Sequence, residues 1–196
     1  MPLTFLLVPL VMFRFGAGEL GTREALRATA RVALILFCFA FAARPLEQLL
    51  PRPATAWLLA QRRLLGVCFG FSLSAHVGLI IRLFYLSGGY TLPEGVTVAD
   101  VAIGGPGLIT VALMVATSAQ RVRQRMSPRT WQRLHTFGIY FVWLVFAACM
   151  LNSISEKADR YPAVQYVPFL TLLALAMGVR ICAALAGHGR ESQVRP

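Results

Sequence analysis

Long apolar stretches separated by short arginine-dense segments dominate this chain, and they leave it few folds to choose from. The clear stretches are Val32 to Ala43 (extended backwards through Ala25 to Ala30), Leu64 to Leu86, Val101 to Ala119, Trp131 to Asn152 and Tyr161 to Ala186. A helix rising 1.5 Å per residue needs roughly 20 residues to cross about 30 Å of hydrocarbon, and only a structure that satisfies its own backbone hydrogen bonds survives there. Each stretch therefore predicts a membrane-spanning helix. Pro2 to Phe13 is apolar over about half the spanning length and stops at Arg14, which predicts a shortened or truncated first helix. No small-residue cleavage site of the signal-peptide kind follows it.

The expected fold is all-α and integral to the membrane. One bundle of about six transmembrane helices takes up residues 1–196 as a single domain, with a polar tail over residues 187–196. Composition agrees: 57% of residues are hydrophobic and only 14% charged, whereas soluble domains carry roughly 25% charged residues. The net charge of +11 raises nucleic acid as a partner. The charge lies in short segments beside apolar spans, with no aromatic-interleaved basic domain to hold a strand, so anionic lipid headgroups are the expected partner and nucleic acid is not.

Every basic residue except Lys157 is an arginine. The loop between the second and third spans carries Arg44, Arg52, Arg62 and Arg63, and the loop between the fourth and fifth carries Arg121, Arg123, Arg125, Arg129 and Arg133. The positive-inside rule puts both segments, and the tail with Arg190 and Arg195, on the cytoplasmic side, with both termini inside. Arg14, Arg23, Arg27 and Arg31 fit this orientation poorly and are partly offset by Glu19 and Glu24.

Soluble-enzyme chemistry has little footing. Gly104-Gly105-Pro106-Gly107 lacks the Lys-Ser or Lys-Thr of a phosphate loop and reads as loop-to-helix packing near the membrane surface. The acids lie in loops, near helix ends or in the tail, so paired carboxylates for intramembrane hydrolysis are absent. Cys38, Cys68, Cys149 and Cys182 are isolated in apolar stretches and read as packing residues.

The histidines are more telling. His188 belongs to the polar tail and reads as solvated. His135 stands four residues into its stretch, at a depth where headgroups and Trp131 could satisfy it as well as a ligand could. His76 lies 13 residues beyond Arg63, or about 20 Å along a helix. Imidazole that deep is expensive without a partner, which makes His76 a functional candidate; a purely structural bond to backbone or to Ser72 is the alternative.

Arg62-Arg63-Leu64-Leu65-Gly66 followed by His76, the Thr117-Ser118 pair, and Trp131-Gln132-Arg133-Leu134-His135 with its aromatic continuation together resemble the ferric-reductase-like transmembrane family. More narrowly they are similar to the haem-binding membrane subunits of bacterial methionine-sulfoxide reductase systems. The likeness runs from about Glu24 to Ala186. It implies a b-type haem, one per chain, held by histidines of the third and fifth spans in the bacterial inner membrane. It also implies electron transfer from a quinone or flavin donor to a periplasmic acceptor, and hence a redox partner protein. The chain has no dinucleotide fingerprint of its own, so it is at most a subunit of an oxidoreductase.

In that family a further fifth-span histidine usually follows the Leu-His pair by 13 residues; here that position is Ala148. His76 and His135 are the remaining candidate haem-iron ligands, yet they stand at different heights. Three arrangements stay open: tilt bringing both to one haem, His76 paired with a weak ligand such as Met150, or haem binding lost. Arg62, Arg63 and Arg133 suit haem propionates or lipid phosphates equally. Phe137, Tyr140, Phe141, Trp143 and Phe146 read as a haem face or as plain packing. A non-redox scaffold or interaction protein that keeps the fold is the alternative function, favoured by Ala148. A small transporter is the weaker third reading, opposed by the lack of intramembrane carboxylates.

Overall fold

The computed structural model describes residues 4–89, 92–93, 96–156 and 162–194. Among them the secondary structure is helical throughout: α1 (Thr4–Phe15), α2 (Glu19–Leu49), α3 (Pro53–Leu86), α4 (Val98–Ser118), the short α5 (Gln120–Arg123), α6 (Pro128–Glu156), a 3-10 turn (Ala163–Gln165) and α7 (Val167–Val194). The helices α2, α3, α4, α6 and α7 are long and apolar enough to cross a membrane. With 12 residues, α1 is not, so the short first helix of the sequence reading is present as such.

Helix boundaries depart from the apolar stretches where arginine is concerned. The segment between the second and third stretches is almost entirely helical: α2 continues to Leu49, α3 starts at Pro53, and Arg44, Arg62 and Arg63 are helical residues. Arginine is a good helix former whose aliphatic stem lies along apolar surface, so a charge run need not be a loop. Proline at the first helical position, where its missing N–H costs nothing, explains the start at Pro53. The glycine-rich segment at residues 104–107 likewise lies inside α4, not in a loop before it. That helix begins earlier, at a reciprocal cap: Thr97 Oγ1 accepts from the Asp100 N–H at 3.1 Å and Asp100 Oδ2 from the Thr97 N–H at 2.9 Å. At the other end of the chain, α7 runs on through Val194, into the segment read as a polar tail. The His188 side chain lies outside the described residues.

At the centre stands α2, which packs on α1, α3 and α7, while α4 pairs with α6. Ala33, Leu34, Phe37, Cys38, Phe41 and Ala42 of α2 meet Phe69 of α3, Val111 of α4, Val142 of α6, and Leu173 and Ala176 of α7 in one core. Small buried residues let α2 and α3 approach: Thr22, Thr29 and Ser72 are fully buried. Their hydroxyls donate to backbone carbonyls, Thr22 to Gly18, Thr29 to Ala25 and Ser72 across the interface to Thr29, which is how polar side chains join helices in lipid. The α4–α6 pair closes through glycine. A Cβ at Gly107 would collide with Val145, and one at Gly138 with Met114.

Between these two assemblies, α2 with α3 on one side and α4 with α6 on the other, the packing opens into a cavity.

Candidate functional site

The cavity has a volume of about 920 Å³ and lies toward the end of the bundle where α2 and α4 begin and α3 and α6 finish. Its floor is apolar, with Phe69, Val111 and Phe146 shared with the core. Near His76 it is lined by Leu26, Ala30 and Leu73, and from α6 by Cys149 and Met150.

Two helices position His76. Nδ1 is 3.1 Å from the Leu26 carbonyl oxygen and 3.1 Å from Thr29 Oγ1. A carbonyl only accepts, so Nδ1 carries the proton and donates it. Leu26 stands one turn before Thr29 on α2, so one helix face supplies both contacts. Ser72, the serine expected as an alternative partner, is turned away to the Thr29 carbonyl. Nε2 then holds a lone pair and has no hydrogen-bond partner among the described residues. An imidazole fixed through Nδ1–H to a backbone carbonyl, with Nε2 free, is the arrangement in which histidine binds metals.

His135 has a different environment. It stacks on Trp131 with ring centroids 4.2 Å apart, and Arg123 lies over the far partner of that stack, 4.8 Å from the Trp131 ring. Thr117 Oγ1 gives its proton to the Leu113 carbonyl at 2.7 Å, so His135 Nε2 donates to Thr117 at 3.2 Å. The Trp131 indole N–H adds a bond to the Thr117 carbonyl at 3.2 Å. The Thr117-Ser118 pair of the sequence reading is thus partly a partner of the Trp131-to-His135 element.

His76 and His135 are not brought together. Arg62 Nε donates to the Ala40 carbonyl at 3.2 Å, and the neighbouring Phe41 packs edge-on against Tyr140, which ties α3 residue 62 and α6 residue 140 to one level of α2. From that level His76 is 14 residues along α3 toward one end and His135 is five residues along α6 toward the other, an axial separation of more than about 20 Å. His135 does not line the cavity. Nor do Arg62, Arg63 or Arg133; the last two are exposed. Met150 lines the cavity with His76. Of the aromatic residues singled out in the fifth span, Phe146 lines it too, while Trp143 donates through its indole N–H to the Leu173 carbonyl at 3.0 Å.

The cavity's arginines are ones that fit the positive-inside orientation poorly. Arg23, Arg27 and Arg31 recur every fourth residue of α2 and line the cavity, together with Asp100 and Ser153. Their four-residue spacing was the available signal, since it places all three on one helix face. Asn152 Nδ2 donates to Asp100 Oδ1 at 3.0 Å, fastening α6 to α4 at the rim.

Residues 27–147 match the family described as ferric reductase like transmembrane component. The chain belongs to this family. The matched stretch runs from the first turns of α2 into α6 and takes in both His76 and His135. The protein-methionine-sulfoxide reductase haem-binding subunit MsrQ of Ralstonia nicotianae is 25% identical to the chain over 174 residues, covering 86% of this chain and 74% of that protein. No solved structure matches.

Proposed function

We propose that this protein is a b-type haem-binding electron-transfer subunit of the bacterial inner membrane, taking electrons from a quinone or flavoprotein donor and delivering them to a periplasmic acceptor. The observation that carries the reading is His76: a histidine at membrane depth, held through Nδ1 by the Leu26 carbonyl, with a lone pair left on Nε2, and lining a cavity of about 920 Å³. Pockets for cofactors commonly fall between about 300 and 1,000 Å³. Membership of the ferric-reductase-like family and the haem-binding description of the Ralstonia relative support it.

The donor set fits haem better than a bare ion. Among the described residues, no group of three or more His, Cys, Asp or Glu side chains converges to hold a metal, whereas a porphyrin brings its own equatorial nitrogens and asks the protein only for axial ligands. His76 would hold the haem iron, with the thioether of Met150, which lines the same cavity, as a weak second donor. Bound haem supplies a one-electron couple. The Leu26 carbonyl fixes the His76 ring and keeps the proton on Nδ1, while Phe69, Val111 and Phe146 keep water from the inner wall.

The end of the bundle with Arg121, Arg123, Arg125, Arg129 and Arg133 is assigned to the cytoplasm, which places the cavity toward the periplasm and anionic lipids around the basic ends. The last spanning helix, α7, then ends inside, while α2, the first of the five, starts on the periplasmic side because α1 is too short to cross. The test is a reduced-minus-oxidised visible spectrum of the protein in mild detergent, with haem quantified per chain. Sharp b-type bands at about one haem per chain are expected. A colourless protein, even with haem supplied during expression, would favour the second reading, a non-redox scaffold, for which Ala148 in place of the family's usual histidine is the observation.

A further inference from the structure

Of the three arginines that line the cavity, two have a carboxylate partner on their own helix and the third has none among the described residues. Arg23 pairs with Glu19 at 3.1 Å and Arg27 with Glu24, both along α2. Arg31 differs: Nη2 donates to the Gln165 side-chain oxygen at 3.3 Å and the guanidinium lies over the Phe169 ring at 5.4 Å, with no carboxylate partner among the described residues. It stands 12 residues into α2, about 18 Å from the helix start, where a charge is costly unless it is paired. The carboxylate that shares the cavity, Asp100, already accepts from Asn152 Nδ2 and from the Thr97 N–H. Arg31 therefore brings to the cavity wall a positive charge with no carboxylate partner among the described residues, one turn of α2 from Arg27.

A ligand suited to this wall is planar and apolar over most of its surface and carries two carboxylates along one edge. We propose that Arg31 holds a propionate of the haem that His76 ligates, with Arg27, already paired with Glu24, one turn away as the second contact. Guanidinium meets carboxylate with two parallel N–H···O bonds, and such pairs are among the strongest polar contacts a protein makes. This assignment rests on the haem reading. It replaces Arg62, Arg63 and Arg133 in the propionate role, since none of those three reaches the cavity.

The test compares haem with haem dimethyl ester, whose carboxylates are neutral, on the full chain freed of haem in detergent micelles. Wild type, Arg31→Gln and Arg27→Gln/Arg31→Gln are each titrated, and loss of the bound group to a haem scavenger is timed. One lost charge-assisted pair corresponds to about a tenfold or greater loss of affinity. Wild type is expected to prefer haem over the ester by at least that factor. Both variants should bind the ester as wild type does, which reports intact folding, while losing the preference for haem. Arg31→Gln should also lower the haem midpoint potential, because an unneutralised propionate stabilises the ferric form. Equal affinity of wild type for haem and ester, or an unchanged preference in both variants, overturns the arginine assignment and leaves His76 ligation standing. Binding of neither compound by wild type overturns both.

Discussion

His76 Nδ1 lies 3.1 Å from the carbonyl oxygen of Leu26, across the interface between α3 and α2. That contact decides the tautomer, and the tautomer decides which ring nitrogen of this cavity-lining residue keeps a lone pair. His76→Ala should therefore abolish bound haem, with haem per chain read from the pyridine haemochrome spectrum. His188→Ala, far along the C-terminal segment, should leave it unchanged. Equal haem content in the two variants removes His76 from the site.

Met150 lines the same cavity from α6. Replacing a thioether ligand by an aliphatic side chain of similar volume should keep haem bound through His76 but open the sixth position. Met150→Leu is expected to retain haem stoichiometry, convert a low-spin spectrum to a high-spin one, and allow carbon monoxide to bind the reduced form. A low-spin spectrum that survives the substitution assigns the second ligand to another residue.

His135 makes a hydrogen bond to Thr117 and a stack on Trp131, both at the opposite end of the bundle. His135→Ala should cost about 1–3 kcal/mol, the sum of one hydrogen bond and one ring pair. Thermal unfolding in detergent would show a fall of a few degrees, with the haem of the cavity undisturbed. Loss of haem without loss of stability would instead make His135 a ligand.

Gly107 permits α4 to lie against α6, because any Cβ there meets the Val145 side chain. Gly107→Ala should destabilise by about 1–3 kcal/mol through overpacking. Gly78→Ala is the matched control: an added Cβ at that α3 position meets nothing within 4 Å, and alanine is the better helix former. Comparing unfolding temperatures of the two variants checks the α4–α6 contact, and equal temperatures would contradict it.

Much of the fold was legible because lipid leaves a chain so little freedom. The apolar stretches at residues 64–86 and 131–152 each lie within one spanning helix, 101–119 runs one residue past the end of α4, and Pro2 to Phe13 is too short for more than the twelve-residue α1. Arg44, Arg62 and Arg63 were misread as loop residues for a physical reason. Polarity marks where a helix leaves the hydrocarbon, not where it ends, and α2 and α3 project past the apolar layer. The glycines at 104–107 suggest a turn because glycine signals one in isolation, whereas they are helical here and packing uses the small size of Gly107 alone; a Cβ at Gly104 or Gly105 would meet nothing within 4 Å.

The sequence by itself determined that this protein is a membrane bundle, and it picked out His76 through the cost of an imidazole at that depth. It also set the heights of His76 and His135 along their helices, since rise per residue is fixed by helix geometry. Only the tertiary structure decided what each residue faces. The rotation of α2 about its axis turns Arg23, Arg27 and Arg31 into the cavity and brings the Leu26 carbonyl to His76 Nδ1, while the meeting of α4 and α6 gives His135 to Thr117. Such rotations follow from how buried side chains of several helices fit together, with small residues such as Gly107 and Thr29 letting backbones approach. No single apolar stretch carries that information.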